Sequence, residues 1–150
     1  MRAMPLLIFP ADYDEIKACR NALNCSAAVL EILKNGINPI FGENELPEIT
    51  VRTGLAFGPT LVVLYGKRLE QAHVDITGSS ISLAAKIASI AKPNQVLVGE
   101  LIYNIIRSSK DKGSLNNIKF REVRLDPIKW KYLSQSDPQS LYHVYEYLIN

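Results

Sequence analysis

Asp75, Gly78, Ser82 and Lys86 fall within twelve residues of one another, and together they hold most of the chemistry this chain offers. Gly78-Ser79-Ser80 opens an apolar-periodic run, so its backbone N–H groups stand at a helix start and can meet an anion. A serine cap with no ligand explains the same residues equally well. Ser82 and Lys86 lie four residues apart and share one helical face, where a hydroxyl and an ammonium could hold a phosphate. The plain alternative for Lys86 is a helix lysine snorkelling into water. Asp75 precedes that helix, where a turn or cap role and a ligand contact are both open. His73 and His143 have no partner at metal-ligand spacing and read as structural. Asp12 and Asp14 stand where a helix start wants carboxylates, which favours capping over metal ligation. Gly54 and Gly58 are followed by no G-K-[ST], so they read as close packing and a turn rather than a phosphate loop.

The elements that must position these residues alternate along the chain. Leu6 to Phe9, bounded by Pro5 and Pro10, reads as a short buried strand. Ile16, Cys19, Leu23, Ser26, Leu30 and Leu33 recur at helical steps, giving a helix of about 22 residues that stops at Asn35-Gly36. Ile37 to Glu48 reads as a loop. Ile49 to Gly58 and Pro59 to Gly66 read as two strands, with Gly58-Pro59 as the tight turn of a hairpin. Lys67 to Asp75 is a polar lead into the helix that Ile81, Leu83, Ala84, Ile87, Ala88 and Ile90 mark out, ended by Ala91-Lys92-Pro93-Asn94. Gln95 to Gly99 is a buried strand, Glu100 to Ser108 a short amphipathic helix, and Lys110 to Asn117 a polar loop. Ile118 to Leu125 and Leu141 to Ile149 close the chain as strands. On the last, Tyr145 and Tyr147 share a face with His143 while Tyr142 points away. With Trp130 and Tyr132, these aromatics read as core or edge packing. The order argues an α+β fold: a ferredoxin-like mixed, largely antiparallel sheet with helices on one face.

Composition sets the bounds. At 150 residues the chain reads as one domain, 1–150, able to bury about 68–70% of its extended surface. Apolar residues at 47% and charged residues at 21% exclude a disordered or fibrous chain. A net charge of +2 is too balanced to argue a nucleic-acid or polybasic membrane surface. The apolar runs are strand-sized, far short of a span or leader, so a soluble, cytoplasmic protein is expected. Cys19 and Cys25 read as free thiols on different faces of a helix.

Arg52-Thr-Gly54-Leu-Ala-Phe-Gly58-Pro59, then Asp75-Ile-Thr-Gly78-Ser-Ser-Ile-Ser82-Leu-Ala-Ala-Lys86-Ile, resembles the back half of class III adenylate/guanylate cyclase catalytic domains. Ala91-Lys-Pro93-Asn-Gln-Val-Leu-Val98-Gly-Glu100 and Tyr142-His-Val-Tyr-Glu146 resemble that family's next elements in the same order. Thr60 departs, since the family prefers an aliphatic residue there.

The resemblance implies a site in which two aspartates hold two metal ions, a Lys/Asp pair reads the base, and an Asn and an Arg act at the transition state. By that alignment Asp75 keeps a base-reading position, Ser82 stands for the asparagine and Lys86 for the arginine. Serine lacks the amide fork, and lysine loses the bidentate grip on phosphate. The second metal aspartate aligns with Ala3, which cannot ligate, and the remaining metal and base-reading groups would precede residue 1. The expectation is therefore a truncated, degenerate cyclase-homology domain with no metal of its own, inactive alone. It would act by homodimerisation in regulation or signalling, with ATP or GTP binding weakly at Asp75, Gly78, Ser82 and Lys86. The alternative is a cyclase subunit whose partner supplies the aspartates, and with them Mg²⁺ or Mn²⁺.

Overall fold

The structure is a computed structural model describing residues 4–109 and 117–149; Ala3 and most of the expected polar loop lie outside the described residues. Helix α1 (Glu15–Ile32) begins where Asp14 caps it, its carboxylate accepting the Lys17 N–H at 2.9 Å. Ala18, Cys19, Ala22, Leu23 and Ser26 are buried along one side. The expected stop at Asn35-Gly36 is not taken. Gly36 does not adopt the left-handed conformation that ends helices, and the chain widens into a π-helical turn (Leu33–Ile37) before α2 (Asn38–Glu43). The wider turn accommodates Pro39, which has no N–H for an α-helical ladder. Part of the expected loop is thus helical, and the Asn38 amide fastens it by bonding both backbone groups of Ile49, at 2.9 and 3.0 Å.

After β1 (Arg52–Leu55) come β2 (Leu61–Tyr65), a 3₁₀ turn (Leu69–Gln71), β3 (His73–Thr77), α3 (Ser79–Ile90), β4 (Gln95–Gly99), α4 (Glu100–Ser108), β5 (Lys119–Glu122) and β6 (Val144–Leu148). Four strands form one sheet in the order β1-β4-β6-β5, with β1 parallel to β4 and the other neighbours antiparallel. The fold is α+β with a mixed, largely antiparallel sheet, as the element order required.

Alternation along β4 divides two cores. Leu97 faces Leu83, Ile87, Ala91, Trp130, Tyr142 and Val144. Val98 faces the other way, toward Cys19, Leu23, Ile102 and Ile106. The expected helices on one face are α1 and α4; α3 covers the second face. What lets α3 lie so close is Gly54 on β1, where a Cβ would strike the Ala84 carbonyl and the Ala88 backbone.

Two local expectations give way. Leu6 to Phe9 pairs with no strand among the described residues, and Leu6, Leu7 and Ile8 are 52%, 63% and 42% exposed. A strand is a pairing, and apolar composition alone supplies no partner. The Gly58-Pro59 hairpin does not form either. β1 pairs with β4, and β2 pairs antiparallel with β3 in a separate two-stranded ribbon. β3 itself begins inside the Lys67 to Asp75 stretch read as a polar lead and continues to Thr77.

Candidate functional site

The four candidate residues sit on the ribbon and the helix that follows it. Asp75 is at the middle of β3, opposite Val63, on the ribbon face that also carries His73 and Thr77. It is exposed, and one carboxylate oxygen accepts the Ile76 N–H at 2.8 Å. Gly78 is the N-cap of α3 and makes no side-chain cap, so the first turn of the helix keeps donors directed outward. Ser82 is exposed and Lys86 half-buried, four residues apart on the flank of α3 beside its buried side of Leu83 and Ile87. The structure therefore brings Ser82 and Lys86 onto one face and joins them to Asp75 through Gly78. No described hydrogen bond or ion pair links Asp75 to either.

A tight junction fixes where α3 starts. The Ser80 hydroxyl lies 3.3 Å from the Pro59 carbonyl, which it donates to, and 3.2 Å from the Thr60 hydroxyl. A Cβ at Gly78 would sit 2.8 Å from the Pro59 oxygen, and one at Gly58 would sit 3.1 Å from the Ser80 Cβ. Sequence reasoning passed over this junction and over β3. The alternation His73-Val-Asp-Ile-Thr77, with two β-branched residues of three at its end, is the signal that could have found the strand.

Other expected groups fall elsewhere. His143 is paired with Glu122, Nδ1 to Oε1 at 2.7 Å, and His73 is at the outer end of β3 opposite Tyr65. Trp130 and Tyr142 are core residues, the Trp130 Nε1 donating to the Tyr142 carbonyl at 3.1 Å. Cys19 and Cys25 are free thiols. Among the described residues no three His, Cys, Asp or Glu side chains gather closely enough to hold a metal ion. No helix of the described residues is long and apolar enough to cross a membrane.

Similarity appears in structure, not in sequence. No family model matches the chain, and neither does any curated protein. Among solved structures, the adenylyl cyclase CyaB from P. aeruginosa superimposes with a TM-score of 0.65 at 16% identity, over 90% of this chain and 61% of that one. The guanylate cyclase domain of RhGC from Catenaria anguillulae, in complex with GTP, gives 0.62 at 16% identity, over 89% and 60%. The dimeric guanylyl cyclase domain of the RhoGC fusion protein from the aquatic fungus Blastocladiella emersonii gives 0.60 at 16% identity, over 87% and 58%. The chain has the fold of a class III cyclase catalytic domain. This cyclase-like chain spans about three fifths of the length of the structures it matches.

Proposed function

We propose that this cyclase-like domain is a cytoplasmic regulatory module that pairs with a second copy, binds ATP or GTP weakly and does not cyclise nucleotide by itself. The observation that carries the reading is one flank of α3. Ser82 and Lys86 lie there side by side, at the positions where the resemblance calls for an asparagine and an arginine. The retained ammonium still attracts a phosphate, but it does so as a point charge without the planar fork that fixes a transition state. Asp75, exposed and only partly satisfied, remains to meet a base. Ala3, at the position of a metal aspartate, brings no ligand.

Pairing is supported by the ribbon. Leu61, Val62, Leu64, Tyr65 and Val74 are each between 55% and 68% exposed, a concentration of apolar surface that a monomer has little reason to keep. The RhoGC domain with the same fold forms a non-canonical dimer.

Calorimetric titration of ATP and of GTP, each with Mn²⁺, tests the reading, with cyclic nucleotide assayed in the same cell. Saturable binding without product is expected. Product from the pure protein would overturn the claim of inactivity, and no heat up to millimolar nucleotide would overturn the claim of binding. The second reading, a cyclase half that works once a partner brings metal carboxylates and Mg²⁺ or Mn²⁺, is favoured by the survival of Asp75 and opposed by Ser82 and Lys86, which weaken the half this chain would supply. Cyclic nucleotide formed only on mixing with a metal-competent subunit would select it.

A further inference from the structure

Ser80 is the second residue of α3, yet its hydroxyl serves no backbone group of its own helix. It reaches twenty residues back along the chain to Thr60 and Pro59 instead. A hydroxyl has one proton to give. With the Ser80 proton directed at the Pro59 carbonyl, the contact at 3.2 Å is made by the Thr60 proton, and the bonds run in one direction: Thr60 to Ser80 to Pro59. Glycines flank this relay on both sides, and neither has room for a side chain without moving the other segment. Ser80 is buried to within a tenth of its surface while Thr60 and Pro59 are exposed, so the relay runs from the surface inward to the start of the helix.

The junction lies where two paths meet. Thr60 leads directly into β2, whose first residue Leu61 pairs with Thr77, and Thr77 is followed by Gly78 and α3. The first turn of the helix is thus tied to the ribbon twice, once through the chain and once through the hydroxyls. We infer that Thr60 and Ser80 are positioning residues for the nucleotide face: their relay fixes the start of α3 against β2, and with it the spacing between Asp75 on the ribbon and Ser82 and Lys86 on the helix. This rests on the nucleotide-binding reading given above. It goes beyond that reading by assigning a role to two residues that touch no nucleotide. It also gives a physical sense to Thr60, a hydroxyl where an aliphatic residue would fill the same space but donate nothing.

Thr60→Val tests the inference, because it keeps the shape of the side chain and removes only the donor; Thr60→Ser restores the donor and is the rescue. Amide hydrogen exchange is read at Ser79 to Leu83 and, as an internal reference, at Ala85 to Ile90. ATP and GTP affinities with Mn²⁺ are measured on the same three proteins. Thr60→Val should speed exchange in the first turn relative to the reference and weaken nucleotide binding about two- to tenfold, the range set by one net hydrogen bond. Thr60→Ser should return both to wild-type values. Unchanged exchange in Thr60→Val overturns the inference. So does faster exchange with wild-type affinity, which would make the relay a local staple only. If the wild-type protein itself binds neither nucleotide, the reading of the α3 face fails first, and the positioning role falls with it.

Discussion

Glu100 and His143 are joined by a 3.0 Å hydrogen bond in which a buried carboxylate oxygen accepts the His143 backbone N–H across 43 residues of sequence. The other oxygen accepts from the Ser134 hydroxyl and the Gln135 N–H, both at 2.9 Å. Glu100 is 3% exposed and stands in the first turn of α4, where the helix dipole also favours an anion. One side chain therefore clips the segment between β5 and β6 to the middle of the sheet.

Every partner of that carboxylate is a donor, so Glu100→Gln turns an NH₂ group toward at least one of them. The variant should lose about 2–3 kcal/mol, the scale of a buried charge-assisted bond exchanged for an unsatisfied group. Urea unfolding monitored by Trp130 fluorescence is a direct measurement, since Trp130 lies in the clipped segment. A loss below about 0.5 kcal/mol, the level of an ordinary surface substitution, would show that the clip carries nothing.

Gly54→Ala should be as damaging by a different route. The added methyl group meets backbone atoms of Ala84 and Ala88, which no rotamer change can move aside. Overpacking of this kind costs about 1–3 kcal/mol where side chains can yield, and more is expected where only backbone is in the way. Gly36→Ala is the matched control: a Cβ there meets nothing within 4 Å, and its thermal midpoint should hold or rise.

The helices were legible because one-sided burial leaves a period in the sequence, as in Ile16-Cys19-Leu23, and β4 because burial on both faces leaves an unbroken apolar run, Val96-Leu97-Val98. Pairing was less so. Nothing in Leu6 to Phe9 says that no strand lies beside it, and nothing local to Gly58-Pro59 says that β1 will choose β4, forty residues on, over its neighbour β2. Gly54 was readable as a close-packing residue, but not what packs on it. The site fared likewise: Ser82 and Lys86 share a face by spacing alone, whereas the Thr60–Ser80 relay and the Glu100 clip are long-range contacts between polar residues, which leave no periodic trace.

Stability should fall on the alkaline side. Burial, with Glu15 adding to it, pushes the Cys19 thiol from its ordinary 9.0 up to about 11, and burial pushes the Tyr142 hydroxyl from 10.0 up to about 12. Above pH 9 the unfolded chain releases these protons while the folded chain keeps them, so the unfolded state binds fewer and gains with every rise in pH. Both contributions are intact below pH 9 and are lost progressively between about pH 9 and 12. Urea midpoints at pH 8, 9.5 and 10.5 should decline in that order, and Cys19→Ala should flatten the decline. A variant that declines as steeply as wild type would remove Cys19 from the account.

The ribbon offers a test of pairing that leaves the fold alone. Val62, Leu64, Val74 and Ile76 share one of its faces by alternation, and Leu64 is well exposed. Leu64→Asp should therefore change the thermal midpoint little, while a charge placed in an apolar interface should dissociate a dimer. Sedimentation equilibrium is expected to show a dimer for wild type and a monomer for the variant. A monomeric wild type, or a variant that stays dimeric, would take the ribbon out of the interface.

Lys86 gives the sharpest test of the proposed nucleotide face, because it can be changed in both directions. Lys86→Ala removes the one ammonium on that side of α3 among the residues assigned to binding, and it should weaken ATP and GTP about tenfold, the scale of a charge-assisted bond to phosphate. Lys86→Arg supplies a planar fork in place of a point charge and should tighten both nucleotides. Adding Ser82→Asn restores an amide that can both donate and accept beside the fork, so the double variant should bind more tightly than either single one. Neither substitution brings a metal-binding carboxylate, so cyclic nucleotide should stay absent throughout the series. Affinity that rises from alanine through lysine to arginine is the signature of phosphate bound at this face. Equal affinity across the three would place any bound nucleotide somewhere else on the molecule.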